Sequence, residues 1–167
     1  MPGSPGSWPV HEFPLLGLED YEKTSDNDRE YNCLAWAARD NQRWWWPDSY
    51  GIGYWPPGIP RAETLEAFIR AYGQLGFLPC PDSSLEDGFE KLAIFARGLS
   101  DGTVVPTHAA RQLPSGRWTS KMGPFEDIDH RNLDVLRGPC YGAPCCYLRR
   151  LINADRTDLP EATPTQE

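Results

Sequence analysis

Apolar residues recur along the chain at two spacings. In PRAETLEAFIRAYGQLGF, Leu65, Phe68, Ile69, Tyr72 and Leu75 return every three or four residues, the period of a one-sided helix, and Pro60 stands just ahead of it, where proline is tolerated. A shorter helix is expected over 32–40, because DNDREYNCLAWAARDN supplies Asp and Asn caps before an apolar run and Asn41 as a stop. FEKLAIFAR reads as a strand through Phe89, Leu92 and Ile94, and GLSDGT as the turn after it. VVPTHAARQL and RWTSKM form a hairpin across PSG, with Pro106 imposing a break or a sheet edge just before His108. GPFEDIDHRNLDVLRG returns to a helical reading, with Ile128, Leu133 and Leu136 as its buried face and Gly138 as its end, and CCYLRRLI is a closing strand. Two helices, three strands, a helix and a strand in this order predict an α+β fold, with N-terminal helices packed on a small antiparallel sheet.

The ends carry no such pattern. Residues 1–14, rich in Pro, Gly and Ser, read as a flexible arm, 15–152 as one folded domain and 153–167 as a polar tail. A length of 167 residues suits a single core, and 40% hydrophobic residues with seven Trp and seven Tyr exclude a wholly disordered chain. The net charge of −8 would repel a phosphate backbone, so nucleic acid is not an expected partner. No apolar run is long enough to cross a membrane, and MPGSPGSWPVHEFP has neither the basic start nor the apolar stretch of a signal peptide. The expected location is cytoplasmic, with non-classical export leaving no mark in the sequence.

Between the helices lies WWWPDSYGIGYWPPGIP, where four prolines and three glycines forbid a regular element and leave a stiff aromatic loop. Trp44, Trp45, Trp46, Tyr54 and Trp55 could wall a binding surface for a peptide or glycan. Three consecutive aromatics cannot all face one way, so at least one must anchor the loop to the core. The five cysteines include no C-x-x-C pair, and Cys140, Cys145 and Cys146 are expected to be structural. Neither a metal site nor a cofactor is expected. Glu19 with Asp20 and Glu126 with Asp127 read as solvated acidic surface, and GIG lacks the strand and helix that flank a phosphate loop.

Cys33 falls in the first helical turn, where exposed amides and the helix dipole favour a thiolate. A nucleophilic thiol also needs a base, normally a histidine near in space and distant in sequence. His11 lies in the arm and His130 on an expected solvent-facing helix beside Asp127 and Asp129, which leaves His108, held on a strand. Tyr31 or Asn32 could assist the Cys33 amide in an oxyanion site, or simply cap and pack the helix.

A cysteine at a helix start, followed by a meander whose strand carries the histidine, resembles the papain-like thiol hydrolases, above all the NlpC-type cell-wall peptidases. The resemblance implies a papain-like core. HAARQLPSGRWTSK has that group's histidine, Gly-containing turn and next strand, and it implies Ser120 as the third, orienting residue, with Asp127, Asp129 or His130 as substitutes if the chain folds back. The cysteine sits in YNCLAWA rather than the usual D-C-S-G. A closer likeness covers about 30–150: YNCLAWAA, RWWWP, YWPPGIPR, TLEAFI and THAARQLPSGRWTSKMG resemble a family of small bacterial proteins known only as a domain of unknown function.

Two functions follow. In the first, Cys33, His108 and Ser120 hydrolyse a peptide or amide bond, with deamidation or acyl transfer open to the same groups, and the substrate is a peptide, a protein or cell-wall material. In the second, the protein is a non-catalytic module that grips a protein or glycan with the aromatic loop, as one half of a bacterial effector pair. A wide exposed aromatic patch around Trp44–Trp46 would favour the second.

Overall fold

The computed structural model describes residues 4–152, so the polar tail lies outside the described residues. Its centre is one antiparallel seven-stranded sheet: β1 (Tyr21–Lys23), β2 (Leu78–Cys80), β3 (Phe89–Gly98), β4 (Val104–Gln112), β5 (Trp118–Lys121), β6 (Asp127–His130) and β7 (Ala143–Leu151), in the spatial order β1-β6-β5-β4-β3-β7-β2. Two short helices, α1 (Cys33–Ala37) and α2 (Leu65–Gly73), lie on one face. This overturns the α+β expectation of a papain-like core with N-terminal helices: the sheet dominates, and the helices are short additions to it.

The largest error lies at 127–136. Ile128, Leu133 and Leu136 mimic a helical stripe, but 127–130 alternate as a strand, with Ile128 joining the core opposite the helices and Asp127 pointing back toward them. Only Asp134–Leu136 coils, as a single 3-10 turn. His130, expected on a solvent-facing helix, is therefore a fully buried strand residue. β1 and β2 are three-residue edge strands, too short to leave a periodic signal.

Strand alternation divides the core in two. Leu92, Ile94, Ala109 and Leu148 face α1 and α2, where Leu34, Phe68, Tyr72 and Phe77 cover them. Ala93, Phe95, Ala110, Trp118 and Ile128 face the other way, and among the described residues no α-helix covers that side. The N-terminal segment covers it instead: Trp8 and Phe13 are each 4% exposed, and Ser7 donates to Glu126 through its backbone N–H and its hydroxyl. From residue 4 onward the expected arm is thus a strap, because its few large apolar side chains have an unpaired sheet face to bury against.

Candidate active site

Cys33 is the first residue of α1, and three contacts fix that helix start. Asn32 caps it, its Oδ1 accepting from the N–H groups of Ala35 and Trp45 while its Nδ2 donates to the Trp45 carbonyl at 2.7 Å. Lys121, with no solvent exposure, donates to the carbonyls of Asp28, Tyr31 and Gly123 and lies 4.3 Å above the Tyr31 ring. Tyr31 in turn donates its hydroxyl to Asp127 at 2.6 Å. The polar atoms of Tyr31 and Asn32 thus tie α1 to the sheet and to the aromatic loop, the capping alternative for these two residues.

The ladder between β4 and β5 consists of only two pairs, Arg111↔Thr119 and Gln112↔Trp118. The paired register ends there, and the amide of Ala109 on β4 is near enough to Cys33 to favour its thiolate. Past the same point His108 Nε2 lies 2.9 Å from Ser120 Oγ. His108 and Ser120 therefore meet beyond the last pair of that ladder, with Cys33 on the helix side of the sheet. Thiol and imidazole lie on opposite sides: Cys33 packs in the core beneath the helices, whereas His108 stacks on Tyr141 at 4.0 Å and meets Phe95 in the other core. No hydrogen bond joins Cys33 to His108; the His108 Nδ1 atom is buried without a partner.

The relay behind His108 runs further than the sequence suggests. Ser120 Oγ also lies 2.8 Å from Nε2 of His130, whose Nδ1 lies 2.9 Å from the carbonyl oxygen of Asn132. A carbonyl only accepts, so His130 carries its proton on Nδ1 and presents a bare Nε2. The Ser120 hydroxyl must then donate to His130, and its oxygen accepts from Nε2–H of His108. That order leaves the His108 Nδ1 as a lone pair with nothing bound to it.

Burial keeps the thiol and both imidazoles neutral. It drives the Cys33 thiol up to about 11, although the amides of Ala109 and Leu34 and the charge of Lys121 pull the other way. The helix start thus favours the thiolate as expected, but desolvation is the larger effect. Burial, with the neighbouring His130, holds His108 well below the usual imidazole range, and burial brings His130 down to about 4.

What closes the site can be followed outward. Tyr141 lies flat on the imidazole of His108, and Phe13 of the strap packs edge-on against Tyr141 at 5.0 Å. Gly142 lets the turn bearing Tyr141 press onto β3, since a Cβ there would lie 2.1 Å from the Ala96 carbonyl oxygen, at a φ of +73°. Trp8, Glu12, Phe13, Met122, Phe125 and Tyr141 line a cavity of about 450 Å³ outside this ring stack.

The remaining expected residues divide by burial. Trp45 and Trp55 are buried against Tyr72 and Phe68, and Trp46 packs edge-on to Phe68, so these three hold the loop to α2. Trp44 is 37% exposed, which gives no broad tryptophan patch. Glu126 and Asp127 are buried acceptors rather than solvated surface. Cys145 is exposed and Cys140 and Cys146 are half-buried, all three as free thiols. Among the described residues, no group of His, Cys, Asp and Glu could hold a metal ion, and no helix is long and apolar enough to cross a membrane. Sequence reasoning missed Lys121 and Tyr141, and held His130 only as a substitute for the third residue. Lys121 ends the hairpin motif and carries no local sign of burial, and a strand reading of 127–130 would have set His130 opposite Trp118; nothing marks Tyr141.

The chain belongs to a family described as Domain of unknown function (DUF7689), whose model matches residues 22–149. No curated protein and no solved structure matches it.

Proposed function

We propose that this domain is a cysteine-dependent hydrolase of amide bonds, held closed at rest. The observation that carries the reading is the Asn132–His130–Ser120–His108 relay, which leaves a bare, fully buried lone pair on His108 Nδ1, next in the chain to Ala109, whose amide acts on Cys33. An unpaired buried nitrogen costs about 1–3 kcal/mol, and catalysis is a reason to bear that cost. On engagement, Cys33 Sγ attacks the amide carbonyl while its proton passes to His108 Nδ1. His108 returns that proton to the leaving amine, and water then cleaves the thioester with His108 as base. Ser120 is a positioning residue: it holds the ring and its tautomer without touching the reacting atoms.

With the thiol near 11 and the imidazole neutral, the resting pair is thiol and base, not an ion pair. Substrate must therefore reach it past Tyr141, and the strap residue Phe13 braces Tyr141. The test is iodoacetamide labelling of Cys33 in the folded full-length chain, mapped by peptide mass. Phe13→Ala should raise the Cys33 rate at least tenfold at temperatures below its own melting transition, and His108→Gln in that background should remove the gain. Labelling of Cys33 only on global unfolding, in all three proteins, would overturn the reading.

A further inference from the structure

The cavity of about 450 Å³ outside the His108–Tyr141 stack falls within the range of small-molecule sites, roughly 300–1,000 Å³, and has their make-up of a mostly apolar wall with few polar groups. Trp8, Phe13, Met122, Phe125 and Tyr141 form that wall. The geometry points to a binding site for a neutral amide with a bulky apolar side chain, its carbonyl oxygen on the Tyr141 hydroxyl. Naming that amide as the substrate rests on the hydrolytic reading; the binding itself does not.

The first argument is an unsatisfied hydroxyl. Tyr31, Tyr72 and Tyr141 are the buried tyrosines among the described residues. Tyr31 donates to Asp127 at 2.6 Å, and Tyr72 to the Leu34 carbonyl at 2.8 Å. Thr107 donates to the backbone carbonyl of Tyr141, but the Tyr141 hydroxyl itself has no hydrogen-bond partner among the described residues, on a side chain only 7% exposed. Its oxygen is not sealed in as His108 Nδ1 is, so the space it opens onto is the cavity that Tyr141 lines. Nearly all enclosed polar groups have a partner, and a carbonyl is the acceptor that suits a phenol.

The second argument is charge. Glu12 and Arg97 are the charged residues on the lining, one of each sign, and neither is buried: Glu12 is half-buried and Arg97 exposed. The enclosed part of the wall is therefore uncharged. An ionic side chain pressed among Trp8, Phe13 and Tyr141 would lose its water without gaining a partner, which selects for a neutral one.

The third argument is position. The Tyr141 ring lies 4.0 Å from that of His108, so an amide held by its hydroxyl waits at the group that covers the base. Burial chiefly holds the Tyr141 phenol well above its ordinary range, and charge on Cys33 or on Cys140, a lining residue, adds to that. The hydroxyl thus keeps its proton to donate, within electrostatic reach of both the candidate nucleophile and the cavity wall.

The chain has two methionines, Met1 and Met122, so a ¹³C label on the methionine methyl groups gives the cavity its own reporter in the full-length protein. The probes are N-acetyl-phenylalaninamide, N-acetyl-alaninamide and N-acetyl-glutamic acid α-amide, with ethylbenzene as a ligand that has no carbonyl. The phenylalanine amide should shift the Met122 methyl and bind at least tenfold more tightly than the other two amides. In Tyr141→Phe, which keeps a ring on His108, its affinity should fall at least fivefold while that of ethylbenzene is unchanged. These preferences without release of N-acetylphenylalanine would support the site and tell against the hydrolytic reading alone. Equal binding of the three amides, no shift of Met122, or an affinity indifferent to Tyr141→Phe overturns the inference, even where Cys33 labels as that reading expects.

Discussion

The carbonyl oxygen of Asn132 decides which nitrogen of His108 carries its proton, although the two residues do not touch. The instruction passes through His130 and the Ser120 hydroxyl, each link with one donor and one acceptor to spend. It ends at a nitrogen with no partner. A network serving stability alone would satisfy its last atom, as nearly all buried polar groups are satisfied.

Removing the middle of that chain should release the tautomer. In Ser120→Ala, Nε2–H of His108 and Nε2 of His130 both lose their partner in a dry core, at a cost of about 1–3 kcal/mol. Imidazole ¹⁵N shifts should report His108 as the Nε2–H form in the wild type and as a mixture in the variant. An unchanged Nε2–H signal in Ser120→Ala would show that the relay does not set it.

Acid should destabilise the fold before any carboxylate titrates. His130 has a folded pKa of about 4 and His108 one well below the ordinary value, so the unfolded chain binds more protons below about pH 6.5. Their stabilising effect is complete above that pH and shrinks as the pH falls. His130 alone should lose about 2 kcal/mol between pH 7 and pH 5. Urea midpoints at the two values measure this, and the difference should fall by about that amount in His130→Gln; a midpoint independent of pH would contradict the burial of both rings.

How much of this was legible in the sequence follows from where tertiary packing decides. α2 was readable because five apolar residues repeat on one face, and the β4–β5 hairpin because its turn chemistry is local. The 127–136 segment was misread because three apolar residues at chance helical spacing outweighed a four-residue alternation. At the candidate site, the residue types and the order of Cys33, His108 and Ser120 were readable. Their burial was not, since it depends on a strap whose Trp8 and Phe13 lie in a Pro- and Gly-rich stretch with no periodicity. Lys121 reads as a surface charge in any local window, and only the fold shows three carbonyls converging on it.

At Arg39, past the end of α1 at φ +64°, the ranking of alanine over glycine that holds inside a helix should invert. Both substitutions lose the bonds to Glu90, which still has Arg150, and the partial exposure of Arg39 limits that loss to about 1–2 kcal/mol. Only glycine also relieves the left-handed backbone, worth about 1 kcal/mol. Urea unfolding should therefore rank wild type above Arg39→Gly and Arg39→Gly above Arg39→Ala. Alanine equal to or above glycine would mean that φ at this position relaxes once the guanidinium is gone.

Lys121 gives the sharpest test of how α1 is mounted. Its ammonium sits among the carbonyls of Asp28, Tyr31 and Gly123, and burial lowers its pKa to about 8 even with Asp28 and Asp127 nearby. Lys121→Met keeps the side chain's length and apolar stem but leaves three carbonyls without their donor, a loss of about 3 kcal/mol at neutral pH. Deprotonating the wild-type lysine removes the charge while leaving the amine in place. The folded pKa is below the unfolded one, so between about pH 8 and pH 10.5 the unfolded chain binds more protons, and this group's contribution to stability rises with pH. The gap between wild type and Lys121→Met should therefore widen over that window. A gap that narrows there would mean that the folded pKa of Lys121 is raised, and that its three carbonyls outweigh the cost of burial.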